Sequence, residues 1–317
     1  MKAFVTGATG FVGGRLAARL RERGDDVVAL VRSPERAAAL RELGCELVEG
    51  DLSSRETLER AAAGCDAAFH LAAIYESGIP ARRRDEVVAV NVTGTENVLD
   101  AAAAAGVARI VHVSSNVVAG NTRGRVVDES WESPAGEFVS LYHETKALAR
   151  RAALDRIARG APILVAQPGG IYGPGDHTEA GGFLARAARG RVVLLPFGSV
   201  GLTWVHVDDV VEGILLVHDR GRVGETYSLG GEMATLRTAV EKAFAAGGRR
   251  PRVVPVPTWA VRLATPLGPL LGVSVSDYVS AADGVTYWVS DEKARRELGY
   301  APRGLDEGLR AAFSSYP

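Results

Sequence analysis

Tyr142 and Lys146 stand four residues apart in YHETKALARRAALDRIARG, a stretch whose Ala, Leu and Arg body predicts a helix. Positions i and i+4 share a helix face, so a phenol and an ammonium project together. A phenol of pKa about 10 exchanges protons poorly at neutral pH, and bringing it to about 7 takes roughly 4 kcal/mol of differential stabilisation of the phenolate. One ammonium about 4 Å away supplies on the order of that at an effective dielectric near ~20. The pair is therefore sufficient for proton transfer to or from a carbonyl or alcohol oxygen. With eight tyrosines and four lysines (Lys2, Lys146, Lys242 and Lys293) in 317 residues, chance supplies about 0.1 such pairs, so the spacing is suggestive by itself. Ser115 is its companion, since the apolar run RIVHVSS ends in Ser114 and Ser115. A hydroxyl at the carboxyl edge of a strand can bond a reacting oxygen and orient it towards Tyr142; capping the strand end is the plainer use.

A second group of residues reads as a phosphate site. TGATGFVGGRL follows the first apolar run directly and opens a helical one, which puts Gly7, Gly10 and Gly13 at G-x-x-G-x-x-G spacing. Glycine lets the backbone turn tightly and approach a pyrophosphate, whose charge the free N–H groups of the helix start then stabilise. A tight strand-to-helix turn without a ligand is the alternative, but the position of the pattern at residue 7 favours a dinucleotide. The end of the second run decides which one. There Val31 is followed by Arg32, Ser33 and Arg36; a guanidinium matches a ribose 2′-phosphate where an aspartate would repel it. NADP(H) is expected, with NAD(H) as the alternative, and Arg32 as a plain solvated charge is the other reading. Asp51, after the third run, either accepts from an adenine amino group or caps the helix beginning near Ser53.

These groups need a frame. KAFVT, DVVALV, CELVEG, DAAFHLAA, RIVHVSS and PILVAQP are short apolar runs suited to buried strands, and helical patterns lie between them: FVGGRLAARLRERG, SPERAAALRELG, SRETLERAAAG, RRRDEVVAVNVTGTENVLDAAAAAG and the helix of Tyr142. Gly24, Gly44, Gly64 and Gly106 each fall just past a helical run, where a left-handed residue is wanted. Strands alternating with helices imply right-handed crossovers and an α/β, doubly wound parallel sheet. Residues 1–170 are expected to form the dinucleotide-binding domain. WVHVDDVVEGILLVHD reads as a strand and helix returning to that sheet at about 203–230, and 171–317 otherwise forms a smaller C-terminal substrate lobe. The aromatics of that lobe, Trp204, Trp259, Trp288, Tyr278 and Tyr287, suit either a hydrophobic substrate or the lobe's own core. Tyr75 and His143 are possible lining residues.

Composition excludes several classes. Apolar residues at 47% and charged residues at 24% are those of a folded globular protein. A net charge of -1 gives no global field for nucleic acid or an anionic membrane. Neither is expected as a partner. No apolar run approaches the roughly 18 residues of a bilayer span, and Met1 leads straight into the first strand, so a cytoplasmic location is expected. Cys45 and Cys65 alone build neither a disulfide framework nor a four-ligand zinc site, and no metal is expected.

Taken in order, TGATGFVG, GDL, HLAA, NVTGTENVL, HVSS, YHETK, PGGIYGPGD and WVHVDDVVEGI resemble the extended short-chain dehydrogenase/reductase family, also called the NAD-dependent epimerase/dehydratase family. The resemblance covers nearly the whole chain and implies a Rossmann sheet. It implies Ser115, Tyr142 and Lys146 as the catalytic triad, with Lys146 also holding the nicotinamide ribose. It places Thr9, Phe11 and Val12 of the glycine turn, Asp51 and Leu52, Leu71, Ala72 and Ala73 of HLAA, Asn91, and Pro168, Gly169 and Gly170 against the cofactor. ALVRSPER resembles the NADP-using dihydroflavonol 4-reductase branch. Dehydratases of the family carry an acidic pair where Asn116 and Val117 stand here. Epimerases usually carry a phosphate-gripping Arg before the HVDD element, where this chain has Leu202, Thr203 and Trp204, leaving Arg186, Arg189 and Arg191 as substitutes. The family's common dimer pairs two long helices, about 84–105 and 141–158, and a homodimer is expected. The first functional reading is thus an NADP(H)-dependent reductase or dehydrogenase acting on a small-molecule carbonyl or alcohol. The second is a sugar-nucleotide epimerase with tightly bound NAD, and the third a non-catalytic NADP sensor.

Overall fold

The computed structural model describes residues 1–134 and 136–313, apart from the side chains of residues 267, 269 and 271. The six apolar runs form β1 (Lys2–Thr6), β2 (Asp26–Val31), β3 (Glu46–Glu49), β4 (Ala67–His70), β5 (Arg109–Val113) and β6 (Ile163–Pro168). Later strands are β7 (Gly170–Tyr172), β8 (Val193–Pro196), β9 (Gly201–His206), β10 (Thr226–Leu229), β11 (Glu232–Thr235), β12 (Val253–Val256) and β13 (Thr286–Tyr287). The helices that matter most for the site are α1 (Phe11–Glu22), α2 (Ala38–Glu42), α3 (Arg55–Ala62), α4 (Arg84–Val88), α5 (Gly94–Ala104), α6 (Leu141–Ile157), α7 (Glu179–Ala188), α8 (Val207–Arg220) and α9 (Leu236–Ala246).

The main sheet has the order β10-β6-β5-β4-β1-β2-β3, and every pairing in it is parallel. Its strands are apolar on both faces, and the period of two sorts their side chains into two cores. Ala3, Val5, Val27, Ala29, Phe69 and Val111 pack with Leu16 and Leu20 of α1 and Ile214 of α8. Phe4, Val28, Ala68, Ile110 and Ile163 pack on the other side with Leu58 of α3 and Val98 and Leu99 of α5. A strand shifted by one residue would exchange these sets, so both registers are fixed by the helices. From β1 the chain moves outward to β2 and β3, then crosses to β4 on the opposite flank. The crevice of a doubly wound sheet lies at that reversal, between the carboxyl ends of β1 and β4.

Three expectations about elements change. β9 does not return to the main sheet: it pairs with β7, β11 and β13 in a second sheet, and the return is made by α8 and β10. Trp204, on β9, belongs to the lobe's own core with Tyr172, Leu184 and Phe244. The run SPERAAALRELG breaks into a 3₁₀ turn at Pro34–Arg36 and a short α2, because the Ala37 backbone (φ -107°, ψ 31°) leaves the helical region between them. The long run from Arg84 continues to Ala104 but carries a π turn at Ala89–Thr93, whose extra residue turns Asn91 inward. The four expected glycine stops are left-handed, with φ of 82°, 77°, 69° and 77° at Gly24, Gly44, Gly64 and Gly106.

Candidate active site

A cavity of about 440 Å³ runs from the glycine turn, past the ends of β5 and β6, into the lobe. At its mouth the backbone itself is the wall. Gly7 has φ +76°, and a Cβ there would lie 2.7 Å from the Ala72 backbone nitrogen. At Gly13 a Cβ would lie 2.1 Å from the Gly7 carbonyl oxygen, so only glycine lets α1 start so close to the turn. Gly10 caps α1 without a side-chain bond, which leaves the first helical N–H groups free to face an anion. Farther in, a Cβ on Gly169 would meet the Thr203 carbonyl oxygen at 2.1 Å, so the junction of β6 and β7 lies close against β9 there.

Ser140 caps α6, accepting from His143 N at 3.1 Å, and thereby sets Tyr142 in the first turn and Lys146 one turn later. Asp277 reinforces this start from 136 residues away by accepting from Leu141 N at 2.8 Å. Both Tyr142 and Lys146 line the cavity, together with Ser114 and Ser115. The Lys146 ammonium is buried and donates to the Val113 carbonyl at 3.0 Å, which leaves two of its three protons for a ligand. Burial pulls its pKa down from 10.5 to about 8. Burial pushes the Tyr142 phenol up, Tyr75 adds to this, and a hydrogen bond with Ser115 opposes it. Burial outweighs the Ser115 bond, so the direction for Tyr142 is upward, while the Lys146 ammonium one turn on is drawn to the Val113 carbonyl at the end of β5.

The other expected residues divide in two. Gly7, Gly10, Phe11, Val12, Gly13, Leu71, Ala73, Pro168, Gly169 and Gly170 line the cavity, while Thr9, Arg32, Asp51, Leu52, Ala72 and Asn91 do not. Arg32 is exposed at the tip of β2 and lies near enough to Asp51, past β3, to help hold that carboxyl below its usual range. The larger cause is Ser53, whose N–H and hydroxyl both donate to Asp51 Oδ1, at 2.8 and 2.6 Å. The capping alternative for Asp51 fails, because α3 begins at Arg55 with Ser54 as its cap. Leu52 packs beneath Gly94. Asn91 accepts from Ile74 N at 2.7 Å and donates to Ile74 O and Thr145 Oγ1, so it pins the loop after β4 to α6. His143 is buried off the cavity; Tyr75 lines it, edge-on to Tyr142 with ring centroids 4.9 Å apart.

Trp204, Tyr278, Tyr287, Phe183, Phe197 and Leu202 make the lobe side of the cavity apolar. Trp259 is not there but on the surface, at 67% exposure. No arginine lines the cavity among the described residues, so Arg186, Arg189 and Arg191 do not replace the phosphate-gripping side chain. Its charged lining residues are Lys146 and three carboxylates, Glu76, Glu179 and Asp277. Asn116 and Thr203, which the family resemblance set at site positions, line the cavity; Asp277 does too, and no short-range signal in the sequence marks it.

The comparisons agree with this architecture. The family described as NAD dependent epimerase/dehydratase matches residues 3–230. A ketoreductase of Stigmatella aurantiaca, named for 4-hydroxy-2-methyl-3-oxo-4-farnesyl-3,4-dihydroquinoline-1-oxide, is 37% identical over 98% of this chain and 96% of its own. The crystal structure of gox2253 superposes with a TM-score of 0.83 at 32% identity, covering 98% of this chain and 96% of that one. MoeE5 in complex with UDP-glucose and NAD gives 0.78 at 27%, covering 99% and 98%. The chain therefore belongs to the NAD-dependent epimerase/dehydratase family and is an enzyme of the extended short-chain dehydrogenase/reductase type.

Proposed function

We propose that this enzyme is an NADP(H)-dependent ketoreductase for an apolar carbonyl substrate, with Tyr142 as the proton donor. The observation that carries this reading is the cavity lining: the Tyr142 phenol with Ser115 and Lys146, in an aromatic pocket whose charged groups among the described residues are one cation and three carboxylates. The dinucleotide fits the residues present. The glycine turn offers a cradle that any Cβ would fill, and Lys146 has donors to spare for a ribose. Arg32, just past β2, and Arg36, in the 3₁₀ turn that follows, are the groups that would meet a 2′-phosphate. When bound, the reduced cofactor supplies hydride. Ser115 holds the substrate oxygen, Tyr142 gives it a proton, and the Lys146 cation stabilises the phenolate left behind.

A sugar-nucleotide epimerase is the second reading, supported by MoeE5's complex with UDP-glucose and NAD. A diphosphate in the lobe would face Glu76, Glu179 and Asp277, with no arginine among the described lining residues to meet it. Release and identification of any copurifying dinucleotide separates the two: tightly held NAD, with interconversion of a UDP-sugar and no NADPH oxidation by any ketone, would reverse the choice.

Arg32→Asp is expected to weaken NADPH binding by about thirtyfold, the loss of one charge-assisted contact worth about 2 kcal/mol, while leaving NADH binding unchanged or improved. Fluorescence titration with both cofactors checks this, and equal losses for the two would remove Arg32 from the 2′-phosphate.

The Lys146 shift predicts a pH limb. Reduction should fall as pH rises through about 8, where the ammonium loses its proton. Folding also disfavours this charge: the unfolded lysine stays protonated up to about 10.5, so the penalty is full below pH 8 and fades between the two values. The gap corresponds to about 3 kcal/mol, offset in part by the bond to Val113, itself worth about 1–3 kcal/mol if left unmade. Lys146→Met should therefore lower turnover, abolish the alkaline limb and raise the melting temperature at pH 7 by about 2 °C. Thermal melts and pH–rate profiles on the variant test both parts.

A further inference from the structure

The net charge of -1 hides a local asymmetry in the lobe. Residues 180–207 and 242–276 contain no Asp or Glu, yet carry Arg186, Arg189, Arg191, Lys242, Arg249, Arg250, Arg252 and Arg262. Lys242 is paired with Glu232 and Asp306, and Arg262 with Asp283. Arg191, Arg249, Arg250 and Arg252 form no ion pair among the described residues. The same region holds seven of the thirteen exposed large apolar side chains of the described residues.

Its geometry is that of an amphipathic face. β8 and β12 pair in parallel with Leu194 opposite Val254, both outward at 59% and 48% exposure, while Val193 and Leu195 point inward and are buried. Arg191 and Arg252 stand at the same end of this ribbon, just before the paired Val193 and Val253. β12 then runs through Pro257 into the helix Thr258–Leu263. In that helix Val261 packs inward against Phe197, Val275 and Val279, whereas Trp259 and Leu263, two residues to either side, point away at 67% and 71% exposure. Phe197 also lines the cavity, so the helix is the outer layer of the cavity wall. Leu270 follows at 85% exposure.

We infer that this face, the β8–β12 ribbon and the helix Thr258–Leu263, docks the enzyme on an anionic bilayer surface. Aromatic and leucine side chains standing in the open beside unpaired arginines in an acid-free stretch complement a layer of anionic headgroups over hydrocarbon, and fit poorly against water. The arginines supply long-range attraction and Trp259 and Leu263 the shallow insertion. This places an apolar cavity wall against the phase in which apolar ketones dissolve. The docking itself does not depend on which reaction the cavity performs.

The purified full chain is mixed at low ionic strength with vesicles of phosphatidylcholine alone or of phosphatidylcholine and phosphatidylglycerol in equal parts, and floated on a density gradient. Flotation with the anionic vesicles only is expected, and it should disappear in salt well above about 0.1 M. Arg250→Glu with Arg252→Glu should weaken partition by at least about thirtyfold, and Trp259→Ser with Leu263→Ser by about tenfold or more. Unaltered melting temperatures in both variants show that the fold is intact. No flotation at low salt, or flotation that the variants leave unchanged, overturns the inference. So does concentration-dependent self-association in analytical ultracentrifugation that the same variants abolish without vesicle binding, since a second copy of the chain would then be what covers this face.

Discussion

Tyr142→Phe is expected to lower kcat for ketone reduction by about 10²–10⁴-fold, the usual contribution of a positioned proton donor, while leaving dinucleotide binding within about twofold. The substitution removes one oxygen and, with it, the hydrogen bond with Ser115. The ring keeps its edge-on packing against Tyr75 and its place at the capped start of α6, so the cavity wall is unchanged. At neutral pH the phenol is uncharged both folded and unfolded, so its raised pKa does not bear on stability there, and the lost Ser115 hydrogen bond sets the cost at about 1 kcal/mol. Steady-state kinetics with NADPH, together with cofactor titration, distinguish the outcomes. Turnover within tenfold of the parent would remove Tyr142 as the donor. Parallel loss of turnover and cofactor binding would instead make its role structural.

Gly13→Ala should raise the dissociation constant for the dinucleotide by more than about a hundredfold, with the α/β fold retained. The added carbon would sit 2.1 Å from the Gly7 oxygen, 2.7 Å from its carbonyl carbon and 3.1 Å from Ala8 Cα. All three are backbone atoms of the same turn, so no side chain can swing aside. The turn or the first residues of α1 must shift, and those residues carry the N–H groups that would meet the pyrophosphate. Gly14→Ala is the control. There a Cβ comes no nearer than 3.3 Å to Ala8 O, the residue is absent from the cavity lining, and a helical glycine replaced by alanine gains up to about 1 kcal/mol. Equilibrium dialysis with NADP(H) and circular dichroism on the two variants give the answer, and similar binding by both would mean that the close approach at Gly13 is not what shapes the phosphate site.

Local chemistry made much of this protein legible from its residues. Six apolar runs separated by helical patterns with glycine stops lead to a doubly wound sheet, because a strand buried on both faces leaves an unbroken apolar signature and a left-handed helix stop wants glycine. The spacing of Gly7, Gly10 and Gly13 and of Tyr142 and Lys146 likewise expresses short-range geometry, a turn in one case and a helix face in the other. What depends on contacts distant in the chain was not legible. β9 reads as a buried strand in any sheet, and only its pairing with β7, β11 and β13 decides which. Asn91 is expected beside the cofactor, but its bonds to Ile74 and Thr145 across the chain are set only by the fold. The Tyr142–Lys146 pair shows the division most clearly. Sequence spacing sets the two on one helical face, but the Val113 carbonyl at the end of β5 decides where the ammonium goes, and burial pushes the phenol's pKa up. Charge separation within one helix turn is a local quantity, whereas desolvation is a property of everything packed around it, and only the tertiary structure supplies that.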